Sequence, residues 1–106
     1  MNRELELITP GDILLEEFLN PLEISQNKLA RDIDVSPSNV SAVIKGTRSI
    51  SPDLALRLAE YFGTSPELWL NMQNHYDLEK LKREKGDIIR QSIRKLSPQH
   101  HHATRV

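Results

Sequence analysis

The chain has 106 residues, no cysteine, 27% charged residues and a formal net charge of -1. This length fits one domain of the commonest size and leaves no room for a second, catalytic domain. The lack of cysteine excludes disulfides, thiolate metal sites and cysteine nucleophiles. No basic start with a following apolar run is present, and no stretch approaches the ~18 apolar residues that a membrane span requires. We therefore expect a soluble, cytoplasmic protein without a membrane partner.

The charge is unevenly distributed along the chain. Residues 1–24 carry one basic and six acidic side chains, residues 25–50 carry four and two, and residues 77–106 carry eight and four. The acidic segment 1–24 is a candidate surface for a basic protein partner, with a solvated acidic helix as the alternative. The basic segment 77–106 could face nucleic acid or only water.

A Thr-Pro or Ser-Pro pair that is followed by helical periodicity occurs four times, and each of these pairs predicts the start of a helix. The hydroxyl can accept a hydrogen bond from an unpaired backbone N–H, and Pro lacks the donor that would stay unpaired there. After Thr9-Pro10, the apolar residues Ile13, Leu14 and Phe18 share one face of the first helix. We expect that helix to stop at Asn20-Pro21, because the residue before a Pro disfavours the helical backbone.

The second helix is predicted over residues 26–33, after Ser25, and the third begins at Ser36 and ends at Gly46. Their inward-facing residues are Leu29, Ala30, Ile33, Val40, Val43 and Ile44. Only Asp34 and Val35 separate the second helix from the cap of the third. Such a short connection predicts that the two helices cross sharply.

The fourth helix is predicted from Ser51 to Phe62, and the fifth begins after Ser65 and ends at Gly86. Trp69, on the fifth helix, is expected in the core or in a subunit seam. Residues 87–98 have helical spacing, although their β-branched content leaves a short strand as an alternative. Residues 97–106 are predicted to be a disordered tail.

The outward face of the third helix carries short polar residues instead of the usual mixture of acids and lysines. A helix of ~10–12 Å diameter barely fits a DNA major groove ~12 Å wide, so short side chains allow a close approach of the backbone. No acidic residue occurs from Val35 to Ser51, which suits a surface that faces phosphates. This pattern indicates a helix-turn-helix whose second member, the third helix, enters the major groove.

Residues 25–62, SQNKLARDIDVSPSNVSAVIKGTRSISPDLALRLAEYF, resemble the DNA-binding domain of the phage-repressor-like (Cro/C1, XRE) superfamily. The run ISPDLALRLAEYFGTSPELWLNMQNHYDLEKLK is similar to the HigA-type antitoxins, also called virulence-associated protein I. The resemblance implies an all-α, five-helix, lambda-repressor-like helix-turn-helix domain over residues 1–96, with a short C-terminal extension and then the tail 97–106.

The same resemblance implies a homodimer that binds a palindromic operator in double-stranded DNA. It also implies autorepression of a HigBA-type toxin-antitoxin operon and neutralisation of a ribosome-dependent, mRNA-cleaving toxin encoded by an adjacent gene. A stand-alone regulator of the same superfamily, with no toxin partner, remains an alternative because no sequence motif marks a toxin-binding surface.

Carried over position by position, the resemblance implies that Gln26 braces the DNA backbone. The positions that approach bases are Ser36, Pro37, Ser38, Ser41 and Ala42, and those better placed for phosphates are Asn39, Lys45, Thr47 and Arg48. Pro37 and Ala42 cannot hydrogen-bond through a side chain, so sequence reading would depend on the serines, thymine-methyl contacts and DNA shape. The alternative for these residues is an ordinary polar surface, and for Gln26 a role in capping the second helix.

A second apolar stripe lies away from the predicted core. Leu56 cannot share the face of Leu54 and Leu58 on the fourth helix, and the fifth helix has a stripe that avoids Leu68, Met72 and Tyr76. The residues of the second stripe are Leu56, Leu70, Leu78 and Leu81. A domain of this size cannot bury both sides of two helices, so we expect this stripe to form a dimer interface.

The sequence carries no pattern that predicts catalysis. No paired carboxylates lie near a His on a predicted face, and there is neither a glycine-rich phosphate loop nor a Ser-His-Asp spacing. His100, His101 and His102 resemble a truncated purification tag or a tail more than a metal site, and His75 is expected to be a polar or core-edge residue. We therefore expect a binding protein without an enzymatic activity, a cofactor or a metal.

Overall fold

The computed structural model describes residues 7–97, which form five helices and no strand. Helix α1 covers residues 10–22 as three continuous segments, Pro10–Ile13, Leu14–Leu19 and Asn20–Leu22. The other helices are α2 (Gln26–Ile33), α3 (Pro37–Lys45), α4 (Pro52–Phe62) and α5 (Pro66–Ser92). The predicted all-α, five-helix class is confirmed. The predicted tail beyond Ser97, with His100 to His102, lies outside the described residues.

Each helix begins at a hydroxyl-bearing residue, as the sequence predicts. The side-chain oxygen accepts the backbone N–H of the residue three positions further on, at 3.0–3.1 Å in every case. These caps are Thr9, Ser25, Ser36, Ser51 and Ser65. The predicted ends of α3 and α4 are also confirmed, because Gly46 and Gly63 adopt the left-handed backbone that ends a helix.

The prediction that the first helix stops at Asn20-Pro21 is wrong. The helix continues to Leu22 and ends where Glu23 adopts a left-handed backbone, with φ 57°. The segment before Pro21 is π-helical, and the N–H of Asn20 donates to the carbonyl of Leu15, five residues back. This wider turn gives the Pro ring the room that an α-helical turn would deny it.

The prediction that Gly86 ends the fifth helix is also wrong. Gly86 keeps a helical backbone and α5 runs on to Ser92, so the strand alternative for residues 87–98 is not adopted in the described part of that segment. Its flanking turns carry ion pairs three or four residues apart, including Lys80–Glu84 at 3.1 Å. Such pairs and good helix formers offset the ~1 kcal/mol that a helical Gly costs relative to Ala.

The core lies where α1 to α4 meet the first two turns of α5. Its buried apolar residues are Leu14, Leu19, Leu29, Ala30, Ile33, Val40, Val43, Ile50, Leu54, Ala55, Leu58, Ala59 and Trp69. Trp69 is fully buried, and its ring centroid lies 4.9 Å from that of Phe18 and 6.1 Å from that of Phe62. The core position predicted for Trp69 is confirmed. Ile44, predicted to face inward, is only half-buried and packs against the edge of this core.

Helix α5 extends far beyond the core. At ~1.5 Å per residue its 27 residues span roughly 40 Å. Gln73 is its last buried residue, and every later side chain of the helix is exposed or half-buried. None of the helices within residues 7–97 is both long and apolar enough to span a membrane.

Candidate nucleic-acid interface

A tight turn joins α2 to α3. Asp34 ends α2 in the left-handed conformation, with φ 61°, and the N–H of Val35 donates to the carbonyl of Ala30 at 3.0 Å. Ser36 then caps α3 directly. Asp tolerates the left-handed region better than most residues, which lets this turn form without glycine. Only Asp34, Val35 and Ser36 separate the two helices, and their sharp crossing stays a prediction.

Arg57 of α4 stabilises the same turn from outside. Its Nη1 donates to the carbonyl oxygens of Ile33 at 2.8 Å and Asp34 at 3.3 Å, while its Nε donates to Asp53 at 2.9 Å. A cation at the carboxyl end of a helix also interacts favourably with the helix dipole. Arg57 was not among the residues predicted from the sequence, although a single Arg between the apolar positions Leu54 and Leu58 indicates a contact with another part of the chain.

Two residues support α3 and the loop that follows it from behind. Gly11 of α1 lies against the backbone of α3 so closely that a Cβ atom there would be 2.1 Å from the carbonyl oxygen of Val43. Gln73 of α5 is buried, and its Oε1 accepts the backbone N–H of Ile50 at 2.8 Å. Its Nε2 donates to Asp77 at 3.0 Å. Both the helix and the loop are therefore held against the core on their inner side.

The outer face of α3 carries most of the predicted base-facing residues. Since Val40 and Val43 are buried, the residues within ~50° of the opposite direction are Ser38, Ser41, Ala42 and Lys45. Ser38 and Lys45 are exposed, whereas Ser41 and Ala42 are half-buried. Ser36 and Pro37 are exposed at the start of the helix. The Ser36 Oγ accepts the N–H of Asn39 and lies 3.2 Å from the Ser38 Oγ, so its main contact is within the cap.

The predicted phosphate-facing residues divide into two groups. Lys45, Thr47 and Arg48 are exposed at the end of α3 and in the following loop. The Thr47 hydroxyl donates to the carbonyl of Ala42 at 3.2 Å, so it is engaged in the turn. Asn39 lies nearer the buried side of the helix, and its Oδ1 atom is buried without a hydrogen-bond partner among the described residues. Asn39 is therefore separated from the exposed face that carries Lys45.

The remaining predicted residue, Gln26, is the half-buried first residue of α2. Two residues further along, the Lys28 Nζ lies 2.7 Å from the Asp32 Oδ2, and the Tyr61 hydroxyl donates to the same carboxylate at 2.8 Å. The hydrogen bond from Lys28, and then that from Tyr61, lowers the pKa of the Asp32 carboxyl. The same bonds raise the pKa of Lys28 and of Tyr61. This network links α2 to α4 and was not predicted from the sequence.

The histidine and acidic residues do not form a metal centre in the described structure. His75 is exposed on α5. Within residues 7–97, His, Cys, Asp and Glu side chains form no group of three or more that could hold a metal ion.

This arrangement of helices is shared with known proteins. A family model described as helix-turn-helix matches residues 15–69. Virulence-associated protein I of Dichelobacter nodosus is 44% identical over 85 residues, which cover 80% of this chain and 79% of that protein. Antitoxin HigA-1 of Vibrio cholerae is 38% identical over 71 residues, 67% of each chain.

A solved structure shows the same fold. The Pseudomonas aeruginosa antitoxin HigA, solved with the higBA promoter, superposes with a TM-score of 0.83 and 39% sequence identity. The match covers 87% of this chain and 100% of that one. The chain therefore belongs to the helix-turn-helix family, and its relatives there include virulence-associated protein I and the HigA antitoxins.

Proposed function

We propose that this protein is a sequence-specific DNA-binding repressor and the antitoxin of a HigBA-type module. In this role it represses its own operon and neutralises an mRNA-cleaving toxin encoded by an adjacent gene. The observation that carries the proposal is the outer face of α3, whose side chains are mostly short and never acidic. Gly11 supports this helix from behind, and Gln73 supports the loop that follows it. The similarity to a HigA antitoxin solved with its promoter DNA supports the same conclusion. The role is one of binding, and we propose no catalytic activity.

The proposed DNA contacts follow from position on this face. Ser38 and Ser41 approach base edges, and Ala42 is placed for a thymine methyl group. Ser36 and Pro37 approach the same groove at the start of α3. Lys45 and Arg48 contact phosphates, and Gln26 of α2 contacts the DNA backbone. Thr47, in the loop after α3, lies beside these phosphate contacts. Asn39 is the weakest candidate of the predicted set, because the buried position of its Oδ1 suits a support of the helix better than a phosphate contact.

The proposed homodimer places two copies of α3 on a palindromic operator about one DNA turn, ~34 Å, apart. Residues 1–96 act as one DNA-binding and dimerising domain in this proposal. Leu78 and Leu81 of α5 are 53% and 43% exposed, and the exposed residues Ile88 and Ile89 extend their stripe. Leu56 of α4 is 61% exposed and remains a candidate. Leu70 is a weaker one, because it is half-buried and packs against the core of its own chain.

The experiment that tests the function measures binding to the DNA upstream of the gene, with and without the product of the adjacent gene. With ~4 phosphate contacts in each half, the logarithm of the affinity should fall with the logarithm of salt concentration with a slope of about -7. A random duplex of equal length is the control. Equal affinity for both duplexes, or a flat salt response, would contradict a sequence-specific repressor.

The same experiment separates the antitoxin from a stand-alone regulator. An antitoxin forms a complex with the adjacent gene product and suppresses its toxicity in co-expression. A stand-alone regulator binds the operator equally well but forms no such complex. Lys45→Ala should weaken binding to all duplexes alike, whereas Ser41→Ala should alter the preference among operator variants.

A further inference from the structure

A groove of about 640 Å³ lies between the segment that leads into α1 and one side of α5. Ile8 and Ile13 line one wall, and Leu68, Met72 and Tyr76 line the other. Ile8 is 60% exposed and Leu68 is 39% exposed, so this apolar surface is open to solvent in the single chain. Clustered apolar surface of this kind marks a site of interaction in soluble proteins.

The groove continues into an acidic surface on α1. A second recess of about 300 Å³ shares Ile8 and Ile13 with the groove and adds Asp12, Glu16 and Glu17. On the opposite side of the groove, α5 contributes Glu79, Arg83 and His75 to the lining. Residues 7–24 contain four acidic residues and no basic one. The groove therefore has an apolar floor and, on its α1 side, an acidic rim of Asp12, Glu16 and Glu17, in contrast with the acid-free face of α3.

The charge of the rim decides which occupant suits the groove. DNA is unsuitable, because the carboxylates would repel its phosphates. A second copy of this chain would present the same acidic α1 rim, and Arg83 is the one Lys or Arg of the described lining that could face it. The stripe proposed for dimerisation lies elsewhere, since the recess lined by Leu78 and Leu81 shares no residue with this groove. A basic protein segment with apolar side chains satisfies both the floor and the rim.

We infer that this groove and its acidic rim are the docking surface for a basic, amphipathic segment of the partner protein. The inference rests on the proposed antitoxin function, and the partner is the product of the adjacent gene. Apolar side chains of that segment fill the groove beside Leu68 and Met72, while its Lys and Arg residues face Glu16 and Glu17.

The position of the groove also connects the partner with DNA binding. Helix α1 carries the rim on its outer side, and its Gly11 lies against the backbone of α3. The helix that holds the partner is thus the one that supports the DNA-reading helix. Occupation of the groove is expected to change operator affinity without any contact between partner and DNA.

The test measures the affinity of the purified product of the adjacent gene for the full-length chain by calorimetry at two salt concentrations. The groove variants are Leu68→Glu, for the floor, and the double change Glu16→Lys with Glu17→Lys, for the rim. The controls lie at exposed positions outside the groove: Leu22→Glu is matched to Leu68→Glu, and Glu60→Lys is matched to the single rim change Glu17→Lys. Both groove variants should bind about tenfold or more weakly, and the rim variant should lose most of the salt dependence. The controls should stay within about twofold of the wild type.

The outcomes separate this inference from the function on which it rests. Wild-type binding with groove variants as tight as their controls would overturn the docking surface and leave the antitoxin function standing. No binding by the wild type would overturn the antitoxin function and the inference with it. A groove variant that changes the mass of the dimer would assign the groove to a second copy of the chain. Operator affinity of each variant reports its fold, and Glu17→Lys alone, at an exposed position, serves where a variant fails to fold.

Discussion

At the scale of single residues, Arg57 shows how one side chain holds the turn between α2 and α3, the proposed DNA-reading unit. It joins α4 to the carboxyl end of α2 through two backbone carbonyls. Arg57→Ala should lower the free energy of unfolding by roughly 1–2 kcal/mol, because hydrogen bonds from a charged donor are lost at a half-buried site. Urea denaturation checks the value. Arg57→Lys keeps the charge with fewer donors, so its free energy of unfolding should lie between those of the wild type and Arg57→Ala. An unchanged stability of the Ala variant would contradict the assigned role.

The network around Asp32 predicts a measurable pH dependence. The pKa of this carboxyl is lowered from 3.8, so its contribution to stability is present above that value and is lost as the pH falls through the lower folded pKa. Lys28→Met should raise the pKa of Asp32 more than Tyr61→Phe does, since the Lys28 hydrogen bond is the larger cause. An NMR titration of the carboxyl carbon measures both shifts. The reverse order, or no shift in either variant, would show that other groups set this pKa.

At the scale of helices, two glycines separate the effect of close packing from that of helix propensity. Gly11→Ala places a Cβ atom 2.1 Å from the Val43 carbonyl oxygen, so α1 must move away from α3. We expect a loss of roughly 2–3 kcal/mol in the free energy of unfolding, together with weaker operator binding.

The matched control is Gly86→Ala, whose Cβ would approach nothing closer than 3.7 Å. It should stabilise the protein by up to ~1 kcal/mol, because Ala favours the helical backbone over Gly. Denaturation of both variants under one set of conditions gives the comparison. A Gly11→Ala variant as stable as Gly86→Ala would mean that α1 does not pack on α3 at this point.

The helix boundaries also show what the sequence can and cannot predict. The Ser and Thr caps were predictable because their hydrogen bonds reach only three residues along the chain. Asn20-Pro21 misled because the π-helical turn before it accommodates the Pro. Gly86 misled because Gly permits both a helix end and a helix interior. Arg57 and Gln73 remained hidden because each contacts backbone atoms 23 or 24 residues away, which only the tertiary fold brings close.

The proposed DNA-binding residues illustrate the same limit within one helix. Periodicity was sufficient to place Ser38 and Lys45 on the outer face of α3, because Val40 and Val43 identify its inner face. The phosphate role of Asn39 came from the resemblance, and neither its angle on α3 nor the burial of its Oδ1 supports that role. Local patterns thus predict the direction of a side chain better than the depth at which it lies.

At the scale of the whole molecule, a charge placed in the exposed stripe of α5 should change the oligomeric state. Leu78→Glu should disrupt the dimer, since two carboxylates would be buried in an apolar contact. Sedimentation measures the mass, and operator affinity should fall because a monomer reaches only one half-site. Leu22→Glu, at a residue 57% exposed on α1, is the control. A Leu78→Glu variant that stays dimeric would place the interface elsewhere.

The hydrogen bond from Ile50 to Gln73 has a consequence for the operator itself. It joins the loop beside α3 to the same helix that carries the stripe proposed for dimerisation. In the proposed dimer the distance between the two α3 helices is therefore fixed, because little flexible chain separates α3 from the proposed dimer interface. One base pair inserted between the half-sites shifts them by ~3.4 Å and rotates them by ~35°. We expect the dimer to bind that operator much more weakly, although both half-site sequences are intact.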